Sequence, residues 1–209
     1  MNDGYTALWL GLIGGILYIT GWRERNDAAP PAPVLLLLLA AAVWLHAYEW
    51  PIGSGIRISG SAALLLVCLM AYVLTRGNGG ETALLAACSG LAGLLWVWIR
   101  CMYAADPVFV LIRPEWDGPL LAGAAAGLLS DKARLHYAIA AAAAAAAPLS
   151  GLLQPGLSQP AAEIGGPAWW DGLALAALAA RLTGCARLLL RQASERVNGS
   201  RLKQRGGNS

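Results

Sequence analysis

Uncharged apolar runs alternate along the whole chain with short polar stretches rich in proline or glycine. The first run, residues 6–22, carries no charge, and Trp9 and Trp22 are candidate interfacial aromatics. It stops at Arg23-Glu24-Arg25-Asn26-Asp27, and three prolines within residues 28–33 mark a turn before a new helix. The second run, residues 34–48, opens with Val34 and five leucines and ends at Glu49-Trp50-Pro51, before a Gly/Ser-rich loop holding Arg57. The third, residues 60–74, ends at Thr75-Arg76 and Gly77-Asn78-Gly79-Gly80. The fourth, residues 82–99, has Trp96 and Trp98 near its end and Arg100 just beyond.

The pattern then becomes less regular. Asp106-Pro107 starts an apolar piece, residues 108–112, too short to span a bilayer, and residues 113–119 read as a polar, proline-rich loop. The fifth run, residues 120–129, is short and needs extension at both ends or a thin bilayer to cross. After Asp131-Lys132-Ala133-Arg134, the sixth run covers residues 135–153 and includes eight consecutive alanines, with Pro148 expected to kink it. Residues 154–167 form a loop with three prolines and Glu163. The seventh run, residues 168–190, is interrupted by Arg181 and Arg187.

The predicted fold is therefore all-α, a polytopic bundle of about seven transmembrane helices over residues 1–190. A basic, disordered cytoplasmic tail follows over residues 191–209. No second domain and no internal repeat is evident. Composition agrees: of 209 residues, 57% are hydrophobic and 13% charged, where a soluble domain carries about 25% charged residues. That balance excludes intrinsic disorder and argues against a soluble enzyme. The first run is not a secretory signal, because its arginines follow the apolar core instead of preceding it.

Charge distribution gives the threading. With seven spans, twelve of the fifteen basic residues fall on one side, and only Arg57, Arg100 and Arg113 on the other. The positive-inside rule then sets the N-terminus outside and the C-terminus inside a cell membrane. If residues 120–129 do not cross, six spans with both ends inside give the same charge count. Asp3 before the first run and Arg23 and Arg25 after it favour seven.

Three loop positions pair tryptophan with acid: Glu49-Trp50, Glu115-Trp116-Asp117 beside Arg113, and Trp169-Trp170-Asp171. Seven spans bring all three to the outer face, where indoles and carboxylates can recognise a cation or a headgroup; the alternative is an aromatic belt with solvated acids. Arg181 lies inside the last run as a candidate intramembrane charge, with Glu81 or Asp131 as possible partners, or it snorkels to the inner interface. His46 and His136 lie near span ends, where a histidine can carry protons near neutral pH, but lone histidines there are more often structural. Gly11 with Gly15, Ser89 with Gly93 and Gly123 with Gly127 are small-xxx-small pairs that let helices approach closely.

The four cysteines form no CxxC pair and, with two distant histidines, give no metal site, so no cofactor is expected. No HExxH or Walker loop occurs. The tail has no aromatics with which to stack bases, so nucleic acid is not an expected partner. The expected partners are the lipid bilayer and a membrane-protein partner or a second copy of the chain. Three roles follow: a non-enzymatic accessory or interaction module, foremost; a small transporter or channel using Arg181; or a lipid-modifying enzyme using Glu115 and Asp117 with Arg113.

The size, the seven-run layout and the basic tail, with Gly21-Trp22 before Arg23-Glu24-Arg25 and with Asp106-Pro107, resemble the YphA-like small membrane proteins of spore-forming Gram-positive bacteria. The resemblance implies a bacterial cell membrane and carries over no functional residue.

Overall fold

The computed structural model describes residues 2–20, 31–52, 55–76, 78–152 and 162–206. Helices dominate them: α1 (Tyr5–Ile19), α2 (Ala32–Leu45), α3 (Gly60–Arg76), α4 (Gly79–Ala105), α5 (Pro114–Leu129), α6 (Ala133–Ala146), the short α7 (Leu149–Leu152) and α8 (Pro167–Gly206). The helical expectation thus holds, but "all-α" needs correction. Three short strands, β1 (Glu49–Ile52), β2 (Ile56–Ser59) and β3 (Ala162–Ile164), form one sheet in the order β1-β2-β3. β1 pairs antiparallel with β2, and β2 pairs parallel with β3, with Arg57 opposite Glu163. The segment expected to be a Gly/Ser loop is thus half of a hairpin. Its alternation of half-buried Ile56 and Ile58 with exposed Arg57 suits a one-sided strand. Pro51, which cannot donate to a ladder, sits on the edge strand β1. Strands of three or four residues escape a search for spans of about 20 residues.

Among the described residues two helices, α4 and α8 as far as Arg196, are long and apolar enough to cross a membrane by length and composition; α1, α2 and the first part of α3 are shorter apolar helices. The seven-span count is therefore not read directly from helix length. The loop expected at residues 113–119 is instead the first turn of α5: Pro114 occupies an N-terminal position, where its missing N–H costs nothing. That extends the fifth run to 16 residues, about 24 Å of helix at 1.5 Å per residue. Pro148 does more than kink the sixth run. It separates α6 from α7, because a ring without an N–H cannot continue the ladder. α8 continues to Gly206, through the segment expected to be a disordered tail. Arg, Leu, Lys and Gln there are good helix formers.

Four helices, α4, α5, α6 and α8, make the core. α5 and α8 run parallel: Gly118 and Gly172 both abut the Trp96 ring, Gly123 lies against the Ala176 backbone, and Gly127 against Ala180, Thr183 and Gly184. α6 runs antiparallel to α8, since Trp169 Nε1 donates to the Ala144 carbonyl at 2.8 Å while His136 meets Gly184. α4 runs parallel to α6, with Glu81 beside Lys132 and Arg134 at one end and Gly93 against Ala143 and Ala146 further along. Alternate helices of this core therefore point in opposite directions.

The polyalanine run supplies one buried stripe, Ala140, Ala143, Ala144 and Ala147, at helical spacing. Without a hydrophobic drive between helices in lipid, such small residues gain packing by letting backbones approach. Trp96, near the end of the fourth run, is a core residue at 5% exposure, while Trp98 two positions on is exposed. α1 and α2 bury no residue; α1 packs on α8 and α2 on α3.

Candidate functional site

The sheet, the loop between α4 and α5, and the starts of α1 and α8 gather at one end of the core. The opposite end carries Glu81, Asp131, Lys132, Arg187 and Arg191. Each tryptophan–acid position lies at the sheet-bearing end, but the side chains do not form one open ring.

Asp117 is 2% exposed and faces inward. Its carboxylate accepts the Tyr103 hydroxyl at 2.9 Å, the Leu111 N–H at 2.9 Å and the Ile112 N–H at 3.1 Å, with Arg113 N–H at 3.5 Å. Residues 111–113 form the turn entering α5, so Asp117 fastens that turn to α4. A carboxylate in the first turns also suits the positive end of the helix dipole. Glu115 is exposed, and Arg113 stacks over Trp116 at 5.0 Å. The pair expected to do acid–base work is thus divided: one acid is buried in a fastening role, and the other faces out.

Asp171 is likewise structural. Gly4 precedes α1 and has no side chain to cap it, so Asp171 of α8 supplies the cap, accepting Gly4 N–H at 2.8 Å and Ala7 N–H at 2.6 Å. Trp169 is buried, and its ring meets Trp170 edge-on at 5.0 Å. Arg181 has its guanidinium 5.8 Å from the centre of the Tyr137 ring, a cation–π distance. Its two candidate acids are held by other cations. Glu81 pairs with Lys132 and, at 2.6 Å, with Arg134; Asp131 pairs with Arg187 and, at 3.1 Å, with Arg191. Arg187 also donates to the Leu128 carbonyl, which ties α8 to the last turn of α5. His136 is buried and its Nε2 lies 2.8 Å from the Ser130 carbonyl, as donor to it.

The structure adds a polar cleft of about 60 Å³ that the pattern of runs did not disclose. His46, Glu49, Arg57, Ser59, Glu163 and Gly165 line it. Arg57 stands 3.7 Å from Glu49, an exposed pair. Beneath the cleft runs a hydrogen-bonded chain: His46 Nδ1 to Ser61 Oγ at 3.1 Å, Ser61 Oγ to Ser59 Oγ at 3.0 Å, and Ser59 Oγ to the Gly165 carbonyl at 3.3 Å. Ser59 Oγ also accepts the Ala62 N–H at 3.4 Å, which makes it the N-cap of α3. Gly165 has φ +92°, a left-handed conformation that favours glycine. Of the cleft's polar side chains, only Glu49 was among the candidates from sequence. The others come from three separated segments, and strand register alone brings them together. Among the described residues no group of three His, Cys, Asp or Glu is placed to hold a metal ion.

A family model described as YphA-like integral membrane protein matches residues 3–206. No curated protein and no solved structure matches the chain.

Proposed function

The chain belongs to the family of YphA-like integral membrane proteins, and from that premise we propose a multi-pass protein of the bacterial cell membrane, with seven spans, the N-terminus outside and the C-terminus inside. Its role in this reading is a non-enzymatic accessory or interaction module. The direction of α5 supports seven spans. It keeps company with α8 from the Gly118–Gly172 level to the Gly127–Gly184 level, so it traverses the layer that α8 traverses. Excess basic charge at the Arg187 end, continuing along α8, supports that end as the cytoplasmic one.

One observation carries the role: of the six acids expected to serve binding, chemistry or transport, four are committed to architecture and only Glu49 and Glu115 face out. Asp117 fastens a turn, Asp171 caps α1, and Glu81 and Asp131 tie helix ends together. The core between the helices is glycine and alanine in close contact. α1 and α2, with no buried residue, leave apolar faces to lipid or to a partner helix. A transporter driven by Arg181 has less support, since Arg181 sits only six residues before Arg187, about 9 Å along the helix, within snorkelling reach of the cytoplasmic end.

Two experiments test the reading. Single cysteines at Trp50, Trp116, Trp170 and Ser209 in a Cys-free background are exposed to a membrane-impermeant thiol reagent on intact cells. Labelling of the first three but not the last supports seven spans; labelling of Trp170→Cys alone supports six. For the role, the tagged protein is purified in several mild detergents. A partner at fixed stoichiometry, or a defined homo-oligomer, is expected; a bare monomer in every detergent overturns the interaction role.

A further inference from the structure

We propose that the cleft between the sheet and the start of α8 binds a primary ammonium group. The argument begins with proton counting along its floor. The Gly165 carbonyl can only accept, so the Ser59 hydroxyl proton goes to it. Ser59 must then accept from Ser61 in their 3.0 Å contact, which uses the one Ser61 proton. Ser61 is left to accept from His46, so His46 carries its proton on Nδ1. In the neutral ring that makes Nε2 a lone-pair acceptor, and His46 lines the cleft.

Three residues on separate segments that line the cleft thus each carry an acceptor: His46 with Nε2, and Glu49 in β1 and Glu163 in β3 with their carboxylates. An ammonium of the R–NH₃⁺ type has three donors and no acceptor. Among the described residues no cation stands within ion-pair distance of Glu163, whose carboxylate folds back toward Gly166, a position where a side chain would crowd it. Arg57 holds Glu49 from the rim and adds a positive neighbour for a phosphate attached beside the ammonium. A volume of about 60 Å³ suits such a charged end and is far below the roughly 300–1,000 Å³ of a pocket for a whole drug-sized ligand.

Position points to where the ammonium comes from. Trp44 and Tyr48 meet edge-on at 5.9 Å just before β1, and both, with Trp50, are exposed. Such amphipathic rings mark headgroup depth. The ligand chemistry is therefore a primary ammonium, supplied by an aminophospholipid headgroup or by a small soluble amine.

The test uses full-length protein in mild detergent, titrated with dihexanoyl phosphatidylethanolamine, dihexanoyl phosphatidylcholine and ethanolamine, with affinity read by thermophoresis. The choline lipid has the same charge but no N–H donor. We expect it to bind about tenfold more weakly than the ethanolamine lipid, and that difference to vanish in Glu163→Gln. Binding of the ethanolamine lipid alone identifies a headgroup site; equal binding of free ethanolamine identifies a soluble amine. Equal affinity for the two lipids, or an undiminished preference in Glu163→Gln, overturns the proposal. Glu49→Gln, on an exposed edge strand, gives a second variant with the same expected loss. Nitrogen-15 NMR of His46 in the unliganded protein adds an independent readout: a protonated Nδ1 is expected, and a protonated Nε2 with bare Nδ1 overturns the proton count.

Discussion

Tyr103, near the end of α4, donates its hydroxyl to Oδ2 of Asp117 in α5 at 2.9 Å, and both side chains are buried. The link crosses the turn that reverses the chain, and the same carboxylate collects the backbone N–H groups of that turn. Removing the hydroxyl leaves the carboxylate its backbone donors; removing the carboxylate orphans all of them. The expected order of damage is therefore Tyr103→Phe, then Asp117→Asn, then Asp117→Ala. Tyr103→Phe should lower Tm by about 2–4 °C in detergent. Equal midpoints for Asp117→Ala and the wild type would remove Asp117 from this fastening role.

Asp171 caps α1 from another helix, so its loss should act at a distance in sequence. Asp171→Ala should cost roughly 0.5–2 kcal/mol, the range for a lost N-cap. The cost should appear locally, because α1 packs mainly on α8. Hydrogen exchange at residues 5–8 should rise while exchange in α5 stays unchanged.

Gly123 and Gly11 belong to similar small-residue pairs, yet their surroundings differ. A β-carbon at Gly123 meets the Ala176 backbone, whereas nothing lies within 4 Å of one at Gly11. Gly123→Ala should destabilise by about 1–3 kcal/mol through overpacking. Gly11→Ala should be neutral or stabilise by up to about 1 kcal/mol through helix propensity. Unfolding in mixed detergent micelles compares the two, and a reversed order would contradict the α5–α8 contact.

Gly165 joins β3 to α8 at φ +92°, with Ser59 filling the space a β-carbon would need. Gly165→Ala should cost about 1–2 kcal/mol for the backbone alone, with a further steric loss at Ser59. Because the Gly165 carbonyl anchors the serine chain, this variant should also shift the His46 nitrogen resonances. Unchanged resonances would mean that the chain does not reach His46.

Much of the architecture was legible as runs of apolar residues, because a helix in lipid must satisfy its own backbone and so leaves a long, uniform signal. α3 begins at the expected residue 60, α2 lies within three residues of its run, and α4 covers its run but continues past it to Ala105. The start of α5 was missed because Glu115 and Asp117 look like loop residues, although acids in a first turn are favourable there. The small-residue stripe of α8, Gly172, Ala176, Ala180 and Gly184, was hidden inside an Ala-rich background. It had a signal, a period of four, that only its partner on α5 makes meaningful.

By itself the sequence determined that the chain is a helical membrane protein and that its basic charge collects at one end. Both follow from composition and from one-dimensional spacing, where each residue contributes independently of the fold. The tertiary structure alone decided what each polar group does. Asp117 and Asp171 looked like candidate binding residues and are fasteners, while His46, read as structural, meets Ser59 and Glu163 at a cleft. The physical reason is that a carboxylate's role depends on which donors reach it. Those donors come from residues up to 167 positions away in the chain, a distance no local pattern encodes.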